Sequence, residues 1–135
     1  MYSPTRSAPP STNIHIIDDQ HAVLIENIER LEQAMAAGKG AAAISQLIRD
    51  LEDYAKFHFP TEERIMEAYG YPLHDIHALE HKKGLHRLLE VERMVTEGHP
   101  AAAVEMLSRL RAWIDSHIME WDAKLGKFLN SRGVA

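Results

Sequence analysis

Apolar residues recur three and four positions apart through most of the chain, the spacing of one face of an α-helix. Leu24, Ile25, Ile28, Leu31 and Met35 form the first such stripe, over residues 19–37, with Asp18 placed to cap its start. Gly38-Lys39-Gly40 stops it. A second run over residues 41–69 turns Ile44, Leu47, Ile48, Leu51, Tyr54 and Ala55 inward, and Gly70-Tyr71-Pro72 breaks it. A third covers residues 73–97, with Ile76, Leu85, Leu88, Leu89 and Val91 or Glu92 near its seam. Gly98-His99-Pro100 ends that run, and Pro100 suits the first turn of a fourth, through Val104, Leu107, Leu110 and Trp113 to residue 129. No strand-like alternation interrupts them. Four helices with short connections pack most simply as an all-α, up-down-up-down antiparallel four-helix bundle.

One domain accounts for 135 residues, and with 45% hydrophobic and 26% charged residues the chain can bury a core without staples. The expected division is a flexible N-terminal arm over residues 1–16, the bundle over 17–131 and a short tail over 132–135. Cysteine is absent, which removes disulfides and thiolate metal sites. A formal charge of −5 argues against nucleic acid as a partner. No apolar stretch approaches the roughly 18 residues that span a bilayer, and a cytoplasmic location is expected.

The histidines change the picture. His58 and Glu62 sit four apart, as do His77 and His81, so each pair can aim two donors at one point. His21 lies on the inward stripe of the first run and His117 on that of the fourth, followed by Asp122. Every helix thus offers metal-capable side chains to the bundle axis. Five imidazoles and two carboxylates are too many for one tetrahedral zinc, and suit two six-coordinate ions sharing carboxylates. Iron, zinc, copper and manganese all fit the ligand types. Left unpartnered in the interior, such groups would each cost about 1–3 kcal/mol. Glu-x-x-His, used by di-iron carboxylate bundles, is absent, as is His-Glu-x-x-His of zinc proteases. Asp122 lies about 500° around an ideal helix from His117, so a bend or π-bulge is required to bring both to one centre. His15, His74, His86 and His99 read as ordinary surface or loop residues.

The segments IDDQHAVL, HFPTEERIM, GYPLHDIHALEH and HIMEWDAKLGKFL, read in order, resemble the hemerythrins, and the single-domain bacterial members in particular. The resemblance covers residues 17–131. It implies two iron ions bridged by Glu62, Asp122 and an oxo or hydroxo group. His77, His81 and His117 would hold one ion and His21 and His58 the other, with an open position for dioxygen. By position, Leu24, Phe59, Trp113, Ile114 and Ile118 would line a dry dioxygen pocket. The implied function is reversible dioxygen binding for storage, delivery or buffering, with dioxygen as ligand and an unidentified protein partner to receive it. A dioxygen or redox sensor, or an oxidase or peroxidase using the same site, is the alternative. Many bacterial members carry a tryptophan early in the N-terminal segment, where this chain has Asn13-Ile14-His15 instead. Pro60 falls between His58 and Glu62, where it removes a helical hydrogen bond.

Overall fold

The computed structural model describes residues 9–135; of the flexible arm expected over residues 1–16, residues 1–8 lie outside them. Four rods run antiparallel in chain order. They are α1 (His15–Ala36), α2 (Ala41–Ala68), α3 (His74–Thr96) and a composite fourth. The fourth consists of α4 (Pro100–His117), a π-helical turn (Ile118–Asp122) and α5 (Ala123–Ser131). No strand occurs among the described residues. Each rod packs on its chain neighbours and α1 closes against α4, which makes the bundle up-down-up-down.

The helices stop where glycine can turn left-handed. At the end of α2, Gly70 has φ 65°, and Tyr71 N–H donates back to Met66 O at 2.9 Å while Gly70 N–H donates to Glu67 O at 3.2 Å. This paired closure satisfies two otherwise orphaned carbonyls. α1 and α3 end the same way. α2 itself runs unbroken through Pro60, and Thr61 Oγ1 donates to Phe57 O at 2.7 Å in the same turn.

Two apolar clusters fill the interior. The larger joins Leu24, Ile28, Leu51, Phe59, Leu88, Leu110, Ile114 and Ile118, among others. The smaller holds Ile14, Ile17, Met66, Tyr71, Leu125 and Leu129. Between them, along three rods, the order is Ile17–His21–Leu24, Phe59–Glu62–Met66 and Ile118–Asp122–Leu125. The polar residues therefore occupy a layer sealed above and below by hydrocarbon.

Several expectations need correction. α1 begins at His15, upstream of residue 19, because Ile14 and Ile17 are both buried in the smaller cluster and draw the chain into the bundle there. Asp18 does not cap the helix. Its carboxylate accepts from Ser11 Oγ at 2.6 Å and from Thr12 N and Oγ1 at 2.8 Å each, tying residues 11–12 to α1. Burial pulls its pKa up, but these hydrogen bonds outweigh that and hold the carboxyl below its ordinary value. Residues 9–14 are thus not a loose tail: Thr12 and Ile14 are buried, and Asn13 takes a left-handed φ of 60° that asparagine tolerates. The C-terminal residues are tied as well, with Asn130 Nδ2 donating to Val134 O at 2.8 Å and to Asn13 O at 3.1 Å. Ile76, Leu89 and Val104 are exposed, at 53%, 43% and 51%. α3 buries the stripe His77–His81–Gly84–Leu88–Val91, and α4 buries Ala103–Leu107–Leu110–Ile114. Each of the three outliers sits one residue, about 100°, off its stripe.

Gly126 marks the seat of the N-terminal arm. A Cβ there would overlap the backbone carbonyl oxygen of Thr12. Gly126→Ala is therefore expected to destabilise the fold by about 1–3 kcal/mol, the range for overpacking a fitted site. A urea melt measures this, and an unchanged midpoint would show that the arm does not seat on α5.

Candidate metal centre

Seven side chains from the four rods converge in the polar layer: His21 from α1, His58 and Glu62 from α2, His77 and His81 from α3, His117 from α4 and Asp122 from the π turn. All seven are buried. Their ligand atoms fall into two groups, each lying within 4.8 Å of one another. One group is Glu62, His77, His81, His117 and Asp122; the other is His21, His58, Glu62 and Asp122. Glu62 and Asp122 belong to both.

The two carboxylates reach both groups in the same way. Glu62 Oε2 lies 3.1 Å from His58 Nε2 and 3.3 Å from His21 Nε2. Its Oε1 lies 3.2 Å from His81 Nε2 and 3.5 Å from His77 Nε2. Asp122 Oδ2 lies 2.8 Å from His21 Nε2, while Oδ1 lies 2.9 Å from His77 Nε2 and 3.1 Å from His117 Nε2. Each carboxylate thus presents one oxygen to each set of imidazoles.

The π turn is what admits Asp122. An α-helical turn would carry the fifth residue after His117 off its face; the wider turn over Ile118–Asp122 returns it, with the indole of Trp121 half-buried beside the His77 ring at 5.7 Å. His117 and Asp122 therefore meet one centre despite their spacing, as the sequence requires.

Most of these atoms do not hydrogen-bond to each other. Buried and without a hydrogen-bond partner are His21 Nδ1 and Nε2, both oxygens of Glu62, His77 Nδ1, His81 Nε2, His117 Nδ1 and Asp122 Oδ2. Those that face the centre (His21 Nε2, both Glu62 oxygens, His81 Nε2 and Asp122 Oδ2) would cost about 1–3 kcal/mol apiece unless protons or cations come between them. Nitrogen and oxygen lone pairs converging at this separation, in a buried layer, are what metal cations satisfy. The donor set, imidazole and carboxylate without thiolate, fits iron as well as zinc, copper or manganese.

Two partners of the imidazoles escape sequence reading. His58 Nδ1 donates to Gln20 Oε1 at 2.8 Å, and His81 Nδ1 donates to Glu63 Oε2 at 2.8 Å. Gln20 had a signal: it stands four before Leu24 on an apolar stripe, where a buried amide demands a partner. Glu63 had none, since its side chain is partly exposed and a carboxylate there needs no buried partner. Two rings are also clamped flat by aromatic neighbours. Phe59 stacks on His81 at 4.4 Å and 14°, and Trp113 stacks on His117 at 4.7 Å and 20°. Trp113 reaches that position because α3 has Gly84 beneath it, where a Cβ would overlap the indole.

Leu24, Phe59, Trp113 and Ile114 line a cavity of about 10 Å³ together with Gly84 and further aliphatic residues. Its walls are apolar throughout, and its volume is at the limit for one water molecule. Ile118 is buried in the same cluster but does not line this cavity. Of the remaining histidines, His15, His86 and His99 are exposed, and His74 is half-buried with Nδ1 2.9 Å from Asp75 Oδ1.

Electrostatics ties protons to the centre in the metal-free protein. Burial lowers the pKa of His21 and His77, but the facing carboxylates of Asp122 and Glu62 outweigh it and raise both to about 9. Burial pushes Glu62 and Asp122 up, yet the surrounding imidazoles hold both below the usual carboxylate range. At pH 7 the metal-free site therefore holds imidazolium against carboxylate. Metal ligation needs neutral imidazole, so loading at pH 7 is expected to release roughly two protons per chain, and affinity is expected to fall as pH is lowered. Titration in weak buffer measures the release; no release would show that the imidazoles are already neutral.

A four-helix bundle with a buried, histidine-rich cluster that could hold metal ions defines the class of protein. The family model of the hemerythrin HHE cation binding domain matches residues 12–129. A bacteriohemerythrin of Pseudomonas aeruginosa is 34% identical over 113 residues, 84% of this chain and 72% of that protein. One from Methylococcus capsulatus is 27% identical over 120 residues, covering 89% and 91% of the two chains. A crystal structure of wild-type hemerythrin superposes with a TM-score of 0.82 and 26% identity, covering 96% of this chain and 98% of that one. The chain belongs to the hemerythrin family. No helix among the described residues is long and apolar enough to cross a membrane.

Proposed function

We propose that the chain binds dioxygen reversibly at two iron ions held by His21, His58, Glu62, His77, His81, His117 and Asp122. The observation that carries this is the double reach of the carboxylates, one oxygen of each towards each imidazole set. In this reading His77, His81 and His117 hold one ion and His21 and His58 the other. Glu62 and Asp122, which belong to both groups, would hold both ions. Bound there, the iron pair supplies the electrons that dioxygen takes up and returns.

The side chains do the rest. Three imidazoles would hold one ion and two the other, so the His21–His58 side offers one protein ligand fewer and would leave a position for an exogenous ligand. Leu24, Phe59, Trp113, Ile114 and Ile118 keep bulk water away from the centre, and Phe59 and Trp113 also hold the His81 and His117 rings in place. The apolar cavity carries no titratable side chain. An oxidase or peroxidase needs acid–base groups beside the reacting oxygen, so this lining favours a carrier that returns dioxygen unchanged.

The test is the visible spectrum of the iron-loaded, reduced protein, aerated and then evacuated. A band that rises on aeration and disappears under vacuum, at about two irons per chain, is the expected result. Absence of a band, or one that evacuation does not reverse, would reject reversible binding. Steady consumption of dioxygen or peroxide with a reductant would instead favour the enzyme reading.

A further inference from the structure

The two halves of the centre differ in the charge standing behind one imidazole of each. Behind His58 is the neutral amide of Gln20; behind His81 is the carboxylate of Glu63. Amide and carboxylate oxygens only accept, so both imidazoles donate through Nδ1 and keep the Nε2 lone pair for the centre. Those Nε2 atoms face opposite oxygens of Glu62, at 3.1 Å for His58 and 3.2 Å for His81. The Nδ1 atoms of His21, His77 and His117 have no hydrogen-bond partner. The inequality therefore rests on one hydrogen bond in each half.

A carboxylate acceptor draws the Nδ1 proton towards itself and makes Nε2 a stronger electron donor; an amide orients the ring with far less of that push. The surroundings preserve the difference. Gln20 is buried, whereas the Glu63 side chain is 33% exposed and keeps part of its hydration while one oxygen holds His81. Phe59, stacked on His81, keeps the ring from turning away from that oxygen.

We propose that Glu63 and Gln20 are positioning residues that make the two metal positions electronically unequal, with the His81 side the stronger donor and the one that favours the higher oxidation state. This rests on the two-iron reading above. The experiment uses the full-length iron-loaded protein with Glu63→Gln, Glu63→Asp, Gln20→Glu and the double exchange Gln20→Glu/Glu63→Gln. Metal content, the midpoint potential from a mediated redox titration, and the Mössbauer spectrum of the half-oxidised form are measured.

Glu63→Gln is expected to raise the midpoint potential and to weaken iron retention about 10- to 100-fold, the usual range for such partners. Gln20→Glu is expected to lower the potential. The double exchange is expected to move the ferric signal to the other iron environment, and Glu63→Asp to restore wild-type behaviour at least in part. Unchanged potentials in Glu63→Gln and Gln20→Glu, with two irons retained, would overturn the proposal. So would a Gln20→Glu effect of the same sign as Glu63→Gln, which would mean that only ring orientation matters. If the unaltered chain itself binds fewer than two irons, the two-iron reading fails on its own evidence, before any variant is compared.

Discussion

Asp122→Ala is expected to abolish binding of both ions, not of one. Asp122 is fully buried, and its two oxygens face His21 on one side and His77 and His117 on the other. Removing it leaves His21 and His58 with a single carboxylate, and takes from the other group the oxygen nearest His77. Two cations would then share a single carboxylate in a buried layer, and uncompensated charge is costly there. The expected iron content falls from about two per chain to below about 0.2, a loss of more than tenfold in affinity at each position. Glu62→Ala is expected to behave alike, since Glu62 reaches both groups too. His117→Ala, which touches one group only, is the contrast and is expected to leave one position partly filled. Metal analysis after dialysis decides the matter. A variant of Asp122 that keeps one full equivalent would show that the carboxylate serves a single ion.

The second large effect is on stability, and its sign reverses with metal. In the metal-free protein, His21 and His77 have folded-state pKa values of about 9 against an unfolded value near 6.5. A raised pKa contributes stability that is complete below the unfolded value and is lost as pH rises through the folded one. The metal-free chain is therefore expected to be most stable near pH 6 and to lose on the order of 3 kcal/mol by pH 9.5 as the imidazolium–carboxylate contacts discharge. The loaded protein is expected to run the other way between pH 5 and 8, because protons compete with metal for the same nitrogens. Melting temperatures with and without a chelator, across that range, test both limbs. Parallel curves would mean that the centre's protons and its metals do not exclude one another. At pH 7, stripping metal is expected to lower the melting temperature well beyond the roughly 3–5 °C that accompanies 1 kcal/mol in a domain of intermediate size.

Much of this was legible without coordinates. Helical spacing placed Leu24, Ile28, Leu51, Leu107 and Leu110 in the core, where they are buried. Pairs four apart, His58 with Glu62 and His77 with His81, share a face on any helix, so their convergence needed only the bundle to close around them. The five-residue step from His117 to Asp122 could not be met by an α-helix, and the chain answers with a π turn.

Other features depended on which neighbour a face meets. Ile76, Leu89 and Val104 look as apolar as the residues beside them, yet stand one position off the stripes that α3 and α4 bury. Asp18 has the chemistry of a cap, but Ile14 and Ile17 pull α1 upstream, and its carboxylate holds residues 11–12 instead. Pro60 breaks a hydrogen bond without ending α2, because helix on both sides is packed into the bundle.

The sequence by itself determined the helices, the bundle and the seven converging side chains, because periodicity and spacing are local and a helix converts them directly into shared faces. Only the tertiary structure decided the rest. Glu63 came to His81 and Gln20 to His58; Gly84 made room for the indole that clamps His117, and Gly126 for the arm. Each of these is a contact between separate elements. It exists because packed rods settle at one rotation and one height against each other, and no single helix carries that information.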